Sequence, residues 1–420
     1  MNKKWEICKI NEEDINKICE ENNLSQLIGS ILASKKIISK DEIREFLNPT
    51  RDDFHDPFLM PDMEKAVERI LIAIQNKEKI IIYGDYDVDG ITSVTVLKKF
   101  LEEQGLKTGE YIPNRLNEGY GLNKEAVKNI SEQGYTLIIT VDCGISCIEE
   151  IEYAKELGME VIVTDHHEPG EIIPDCLAVV DAKRKDNKYP FNQLAGVGVV
   201  FKLIQSISLK LNLEAKEYLK YLDIVCVGTI SDIVPLIDEN RVITKLGLKL
   251  VEKTRNIGLK TLLESTGYKE INSTTISFGI APRINACGRM GKAEQALKLL
   301  LSKDIYEVNK LTQELNNYNR ERQEIEKEIF ESVLNKIEQN NLDKNRTIVV
   351  GGEGWHHGVI GIVSSKITEK YFKPSILLSF EEDGTGKGSG RSIPGFDLHE
   401  ALMKCENCLE KFGGHSMAVG

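Results

Sequence analysis

The sequence predicts an α/β protein in which a doubly wound, mainly parallel sheet is joined by a long helix to a smaller α/β domain. Apolar runs of four to six residues recur from residue 79 onward, each followed by a polar turn and a segment of helical periodicity. This pattern is typical of buried parallel strands that alternate with helices. Residues 303–341 carry dense mixed charge without Gly or Pro, which predicts one long helix. Because 420 residues exceed the usual size of a single core, we expect two or more domains.

The first half of the chain is predicted to contain a cap and the larger sheet. Residues 1–70 mix short helical patterns with prolines and lead into an amphipathic stretch at 63–75, so we expect a cap segment there. The doubly wound domain is expected over residues 71–250. Its predicted strands are Ile80–Tyr83, Leu137–Val141, Val161–Thr164 and Ala178–Val180, and the apolar run 224–230 is interpreted as a further strand.

The second half is predicted to contain a helical connector at 251–345 and a substrate-binding domain at 346–420. In the latter we expect strands at 347–350 and 375–380, a turn and helix at 355–370, and a final helix around 399–412. The glycine-rich stretch 384–392 lacks the spacing of a P-loop or a dinucleotide-binding loop, and a hairpin is one interpretation of it.

Composition limits the class of protein. Hydrophobic residues make up 41% of the chain and charged residues 29%, as in ordinary globular proteins. The formal net charge of -12 argues against binding a polyanion through bulk positive charge, so nucleic acid would have to be bound locally. The sequence shows neither a secretory signal nor a run of 18 apolar residues, so we expect a cytoplasmic protein without membrane contact. The nine scattered cysteines are expected to be reduced, and a redox or half-zinc role for Cys405 and Cys408 is left open.

Acidic residues and histidines follow four of the predicted strands. The groups are Asp85, Asp87 and Asp89 after the first strand, Asp142 after the second, His166 and His167 after the third, and Asp232 after the run 224–230. Because the carboxyl ends of parallel strands meet at one edge of a sheet, we expect these side chains to lie close together.

Such crowding predicts bound cations. Carboxylates that share a site raise one another's pKa unless cations neutralise them. Oxygen donors with an imidazole favour manganese, with magnesium as the alternative, and two ions about 3.5–4 Å apart would activate water and stabilise a phosphoryl group. The sequence therefore predicts a two-metal phosphodiesterase. A calcium loop is disfavoured because Val96 stands where an EF-hand needs Glu, and Asp142 or Asp232 taken singly is also compatible with a helix N-cap.

The order of these motifs resembles a known family. GDYDVDG, VDCG, TDHHEP and VGTISDIVPL are similar to the four motifs of the DHH phosphoesterase superfamily. Within it, the chain resembles the RecJ family of single-strand-specific DNA exonucleases from about residue 50 to the end. The segments that carry this resemblance are IPNRLNEGYGLN, AGVGVVFKL, APRINACGRMG, GWHHGVIGIVSSKI, GSGRS and FGGHSMAVG.

The resemblance implies roles for individual residues. Asp87 and Asp142 would hold one Mn²⁺ or Mg²⁺ ion, and Asp89, Asp142, His166 and Asp232 the other, so Asp142 would bridge the pair. His167 would face the scissile phosphate, and water would be the nucleophile, without a covalent enzyme intermediate. Many relatives have a histidine where this chain has Tyr83, so we expect Asp85 to replace it as a ligand or to support the ligands.

Arginines in segments rich in Gly or Asn are expected to bind substrate phosphates, since a guanidinium fork and backbone amides can together hold a phosphate. The candidate arginines are Arg115, Arg283, Arg289 and Arg391, and Asn285 is a further candidate from the same motif as Arg283 and Arg289. The resemblance adds Ser389, Gly390 and His415.

The resemblance implies a 5′-to-3′ exonuclease that degrades single-stranded DNA to mononucleotides in repair and recombination, within a cleft too narrow for a duplex. The polarity is implied by the resemblance alone. A phosphodiesterase for short oligonucleotides or cyclic dinucleotides is the alternative, and an inactive replication scaffold of the same fold is disfavoured by the intact ligand set. A single-strand-binding protein and a helicase are left open as partners.

RecJ proteins generally continue beyond the GGH segment into an oligonucleotide-binding barrel, whereas this sequence ends at Gly420. Without the stacking platforms of such a barrel, we expect weaker binding to long strands and lower processivity.

Overall fold

A computed structural model describes residues 7–420, so the first six residues of the predicted cap lie outside the described residues. The cap contains α1 (Glu12–Asn22), α2 (Gln26–Ser34) and α3 (Lys40–Leu47), followed by single 3₁₀ turns at Arg51–Asp53 and Pro57–Leu59. The side chains of Asn11, Ser25 and Ser39 cap the three helices. A small core that includes Ile18, Leu32 and Ile43 holds them together.

The first sheet has five parallel strands in the order β2-β1-β3-β4-β5, which confirms the predicted fold class. The strands are β1 (Ile80–Gly84), β2 (Thr108–Tyr111), β3 (Leu137–Val141), β4 (Glu160–Thr164) and β5 (Ala178–Val180). The helices α4 (Met63–Asn76), α5 (Val88–Glu103), α6 (Lys124–Glu132), α7 (Ile148–Glu156) and α8 (Gly196–Lys210) accompany it. Hydrophobic clusters pack on the sheet through Ile80 and Ile82 and through Ile81 and Tyr83, so both faces are buried. The prediction missed β2 because this edge strand, TGEY, contains no apolar run.

The apolar run 224–230 is a helix, so its interpretation as a strand was wrong. It belongs to α10 (Leu222–Ser231), which comes between the short α9 (Lys216–Leu219) and α11 (Asp238–Val251). Residues 222–230 are all buried, and α10 packs against α5, α8 and α11. A helix that is buried all round shows no amphipathic period, and a short apolar run then looks like a strand.

A long helix connects the two halves, as predicted. After α12 (Ile257–Thr266), a π-helical turn (Thr275–Ile280), α13 (Ala281–Arg289) and α14 (Ala293–Leu301), helix α15 runs from Ile305 to Gln339. Its first half contributes Val308 and Leu315 to the core of the first domain, and its second half contributes Val333 and Ile337 to that of the second. One helix therefore links the two cores directly.

The second sheet has the order β6-β7-β8-β10-β9 and is smaller. Following a 3₁₀ turn at Leu342–Lys344, its elements are β6 (Ile348–Glu353), α16 (His357–Tyr371), β7 (Ser375–Phe380), β8 (Gly386–Arg391), α17 (Leu398–Met403), a 3₁₀ turn at Glu406–Cys408, β9 (Gly414–His415) and β10 (Ala418–Val419). The glycine-rich stretch forms the turn and second strand of the β7–β8 hairpin. The final helix ends earlier than predicted, because residues 403–411 are exposed and no packing sustains it.

The domain limits at residues 70, 250 and 345 stay predictions. None of the helices described between residues 7 and 420 combines the length and the apolar character needed to cross a membrane.

Candidate metal centre and arginine-lined cleft

Three adjacent strands of the first sheet end beside one another and carry the candidate ligands. The loop after β1 carries three aspartates, Asp142 follows β3, and His166 and His167 follow β4. Asp87 is the N-cap of α5, where its carboxylate accepts hydrogen bonds from Asp89 N at 2.8 Å and Gly90 N at 3.1 Å. Asp142 has a φ of 59°, a left-handed conformation that Asp adopts more readily than most residues. The turn at the end of β3 therefore sets the direction of this carboxylate.

The N-terminus of α8 holds Asp89. The carboxylate of Asp89 is buried and accepts hydrogen bonds from Gly196 N at 2.6 Å and Val197 N at 2.8 Å. These amides begin α8, which has no side-chain cap of its own, so Asp89 satisfies free donors at a positive helix end. A Cβ at position 196 would lie 2.8 Å from Asp142 Oδ1, and only Gly lets α8 come this close.

Asp232 comes from a helix rather than from a strand. It is the C-cap of α10, whose packing against α5 brings the carboxylate to the sheet edge. The next residue, Ile233, has a φ of 61° and is 88% exposed. A positive φ is strained for a β-branched side chain, and such strain is concentrated at functional sites.

The candidate ligands form three overlapping groups, and within each group the ligand atoms lie within 4.8 Å of one another. The groups are Asp85, Asp87 and Asp142; Asp89, His166 and Asp232; and Asp142, His166 and His167. His166 Nε2 lies 3.0 Å from Asp142 Oδ1 and 3.8 Å from Asp89 Oδ2. Asp142 belongs to the first and the third group and His166 to the second and the third, so this pair links the two outer groups, and Asp142 is placed as a shared carboxylate would be.

Two buried atoms of this cluster lack hydrogen-bond partners: Asp85 Oδ1 and His166 Nε2. Buried polar atoms without a partner are rare in folded proteins and call for a ligand or an ion. Oxygen donors with one neutral imidazole suit a divalent ion such as Mn²⁺. The residues therefore fit a two-ion site.

Burial and mutual repulsion dominate the electrostatics. Burial, followed by the charges of neighbouring aspartates, raises the pKa of Asp85, Asp89 and Asp142 well above the usual range. The same causes, burial and then Asp87, raise the pKa of Asp232 to about 7. Burial and the neighbouring His167 lower the pKa of His166 to about 3, so this imidazole is neutral and able to bind a metal.

His167 is held in place by Asp165 and Tyr120. Its Nδ1 lies 2.7 Å from Asp165 Oδ1, and Asp165 also accepts hydrogen bonds from Ile145 N and His166 N. Burial alone would lower the pKa of His167, but the hydrogen bond and charge of Asp165 outweigh it and raise the pKa. The hydroxyl of Tyr120 lies 3.1 Å from the same Nδ1 and donates to the carbonyl oxygen of Asp142 at 3.2 Å. With Nδ1 engaged, Nε2 is the ring nitrogen available to a ligand.

Asp165 stands in the motif TDHHEP and Tyr120 in IPNRLNEGYGLN, but neither motif by itself indicates the role of these two residues. Tyr83 is fully buried and donates its hydroxyl to Gly121 O at 2.9 Å. Its ring stacks on Tyr111, with 5.0 Å between the ring centroids. Tyr83 thus supports the loop that carries Tyr120.

Four arginines from different segments converge beside the centre. They are Arg115, Arg289, Arg322 and Arg391, and we call them the arginine group. Burial, together with the charges of the other three, lowers the pKa of Arg289 to about 10. Arg115 lies over the ring of Tyr86, 4.9 Å from its centroid, and Arg289 donates to Gly358 O at 2.9 Å. Arg322 lies on α15, and the only signal in the sequence that could have marked it as a site residue is the charge pattern of that helix. The group spans the contact between the two domains.

Close backbone contacts bring the two domains to the arginine group. A Cβ at Gly288 would lie 2.4 Å from Tyr86 O, and one at Gly358 would lie 2.3 Å from Arg289 O. In the second domain Arg391 donates to Ser389 Oγ at 3.1 Å and to Gly390 O at 2.7 Å. The predicted contacts Ser389, Gly390 and Arg391 therefore share one strand at the cleft.

The remaining predicted contacts lie elsewhere. Arg283 donates to Asn316 Oδ1 and Gly279 O, both at 2.6 Å, and is not brought into the arginine group. Asn285 Oδ1 accepts a hydrogen bond from Val88 N at 3.3 Å, so it supports the loop of the metal cluster. His415 is exposed on β9, opposite Ala418.

The raised pKa of Asp232 predicts a pH-dependent stability in metal-free protein. The folded state keeps a proton on Asp232 that the unfolded state releases, so stability falls as the pH rises from about 4 to about 7. Asp232→Asn should flatten the fall in melting temperature between pH 5 and pH 8, measured in chelator. Asp383→Asn, on an exposed hairpin turn, serves as the control. Parallel curves for Asp232→Asn and the wild type would contradict this reading of the site.

Comparison with known proteins agrees with this architecture. The profile of the DHH family, N-terminal domain, matches residues 79–229, and that of the DHHA1 domain matches residues 344–420. The single-stranded-DNA-specific exonuclease RecJ of Bacillus subtilis is 43% identical over 99% of this chain and 52% of its own length. RecJ of Dickeya dadantii is 34% identical over 95% of this chain and 72% of its own length. The chain thus spans about half the length of the Bacillus relative.

Solved structures give the same result. The crystal structure of Thermus thermophilus RecJ in complex with Mn²⁺ has a TM-score of 0.85 at 32% identity, over 98% of this chain and 58% of that one. A structure of exonuclease RecJ bound to manganese has a TM-score of 0.77 at 37% identity, over 86% of this chain and 89% of that one. The chain therefore belongs to the RecJ family of DHH phosphoesterases.

Proposed function

We propose that the chain is a metal-dependent exonuclease that hydrolyses the phosphodiester bonds of single-stranded DNA from the 5′ end and releases mononucleotides. The observation that carries the proposal is the position of Asp142 between two groups of metal-ligand atoms, beside four converging arginines. RecJ relatives named as single-stranded-DNA-specific exonucleases support the substrate and reaction class. The polarity and the mononucleotide product rest on the resemblance.

We assign two ions to the cluster, Mn²⁺ with Mg²⁺ as the alternative, since solved RecJ relatives contain these metals. Asp85, Asp87 and Asp142 would hold one ion, and Asp89, Asp142, His166 and Asp232 the other. Bound ions of this kind supply an activated water and neutralise charge that develops on the phosphate. The orphaned atoms Asp85 Oδ1 and His166 Nε2 support both assignments.

The chain's own residues position the substrate. Asp165 raises the pKa of His167 and fixes its ring, so that the protonated imidazole can donate a hydrogen bond to an oxygen of the scissile phosphate. Arg115, Arg289 and Arg391, with Ser389 and Gly390, bind the neighbouring phosphates. Arg283, Asn285 and His415 remain candidates for more distant contacts. A strand in this cleft would be flanked by the two domains, so selection against a duplex would be steric.

A phosphodiesterase for short oligonucleotides is the second candidate, because the metal cluster and a glycine-rich second domain would serve it equally well. An inactive scaffold is disfavoured because buried carboxylates without a cation are costly to keep. As an exonuclease in DNA repair and recombination the protein would act in the cytoplasm. A single-strand-binding protein and a helicase are proposed partners, because they supply and protect single strands.

Nuclease assays with manganese test the proposal. We expect labelled mononucleotide from 5′-labelled single-stranded DNA at the start of digestion, but late from a 3′-labelled strand, and none from duplex. Asp142→Ala should reduce the rate at least about 10³-fold, because it removes a ligand of both ions. Asp383→Asn should leave the rate unchanged. Equal or faster cleavage of a dinucleotide would favour the second candidate instead.

The contacts of the arginines predict unequal effects on binding. Arg391→Gln should raise KM for single-stranded DNA about 10- to 100-fold, because a charged hydrogen bond to phosphate contributes about 1.5–3 kcal/mol. Arg283→Gln should change KM less than about three-fold, because Arg283 contacts Asn316 on α15 and Gly279 in the π-helical turn and is not part of the arginine group. Melting temperatures would show that both variants fold. If Arg283→Gln weakened binding as much as Arg391→Gln, the strand would have to pass over α13.

A further inference from the structure

Each of the two edge strands of the parallel sheet is followed by a loop that carries a basic residue. In the order β2-β1-β3-β4-β5, the candidate ligands other than Asp232 follow the three central strands. The loop after β2, at one edge of the sheet, carries Arg115, and the loop after β5, at the other edge, carries Lys183. With a spacing of about 4.8 Å between neighbouring strands, the two edge strands lie roughly 19 Å apart. A row of acidic groups therefore has a cation near each end.

Lys183 is held beside the histidine end of this row. β5 pairs with β4 in a register that places Val180 opposite Thr164, so the residues after both strands run side by side. The backbone N–H of Lys183 donates to the buried Asp181 at 2.7 Å, which fixes the turn. The Nζ atom of Lys183 lies 3.4 Å from Oε1 of Glu168, the residue that directly follows His167 in the chain.

The ammonium of Lys183 acts on the second metal group. Burial dominates the pKa values of His166 and Asp232, and the charge of Lys183 acts to lower both. Arg115 acts on Asp85 instead, at the opposite end. The two cations thus serve different ends of the centre.

Arg184 and Lys185, the next two residues of the loop, differ from Lys183 in their contacts. Arg184 is paired with Asp62 and Asp186 and also donates to Val179 O, so its role is structural. Lys185 is exposed and stands two residues after Lys183 in the same loop. Lys183 makes one long contact with Glu168; the side chain of Lys183 is 23% exposed and that of Glu168 72% exposed. An ion pair with one partner in solvent is weak, so Glu168 can be exchanged for a phosphate.

We propose that Lys183 forms a second phosphate-binding site for the single strand, at the end of the metal row opposite the arginine group. A strand held by the arginine group would cross the sheet edge over the metal cluster and place another phosphate on Lys183. The ion pair between Lys183 and Glu168 would then break, and the phosphate would replace Glu168. This inference deepens the proposed function and rests on it. Lys183 would position the strand and take no part in the chemistry, so it should affect binding rather than kcat.

The test compares variants by fluorescence anisotropy of a labelled single strand, with calcium replacing manganese, over a series of salt concentrations. Lys183→Ala should raise Kd roughly five-fold, as expected for loss of an exposed ion pair of about 1 kcal/mol. It should also reduce the slope of log K against log salt by about 0.7, the value for one phosphate contact on a single strand. Lys185→Ala removes the same charge from the same loop and is the matched control, with no change in slope. Glu168→Gln should lower Kd about two-fold.

Kinetics with manganese separate this inference from the proposed function. If the wild type degrades single strands, Lys183→Ala should raise KM and leave kcat unchanged, whereas a purely structural role would lower the melting temperature and kcat. Equal Kd values and slopes for Lys183→Ala and Lys185→Ala would overturn the inference, whatever the wild-type activity. A wild type that binds strands through Lys183 but does not cleave them would overturn the proposed function and support this site.

Discussion

The crowding of buried carboxylates at one sheet edge is the constraint on which the rest of the structure depends. Each carboxylate loses hydration and is repelled by its neighbours, so each needs compensation. Asp89 obtains it from the amides of α8, Asp87 from those of α5, and Asp165 from His167. Asp85 and Asp142 lack comparable donors, so in metal-free protein their pKa values are raised, and a divalent cation would stabilise their charged forms. The glycine at 196 and the left-handed backbone at Asp142 follow from the same need for close approach.

The arginine group adds the opposite charge. Arg289 is buried among three other arginines, and their repulsion would be relieved by a phosphate. An acidic centre suited to cations thus faces a basic group suited to anions. With this arrangement a chain with a net charge of -12 would bind a polyanion locally, because positive charge is concentrated at the contact between the domains. The long helix α15 contributes Arg322 to this group and enters both cores, so it keeps the two halves of the site in register.

The sequence was sufficient for the parts of the fold that have a clear period or a strand-end motif. The central strands and α15 were predicted within a few residues, and the aspartates and histidines of the motifs do meet at one sheet edge. It was misleading for Asp232, because a helix buried on all sides looks like a strand. The surroundings of Tyr120, Lys183 and Arg322 could not be predicted, since they arise from tertiary contacts between segments far apart in the chain. Arg283 and Arg289 stand in one motif, yet only the packing of α13 shows that their side chains have different neighbours.

The central claim is that Asp142 is shared by two cations, and counting the ions tests it directly. Metal-free protein would be titrated with Mn²⁺ by calorimetry, and the bound metal would be measured after dialysis. The account predicts two ions per chain for the wild type and a loss of affinity at both sites in Asp142→Asn, with Asp383→Asn behaving as the wild type. A single ion in the wild type, or two unaffected sites in Asp142→Asn, would contradict it.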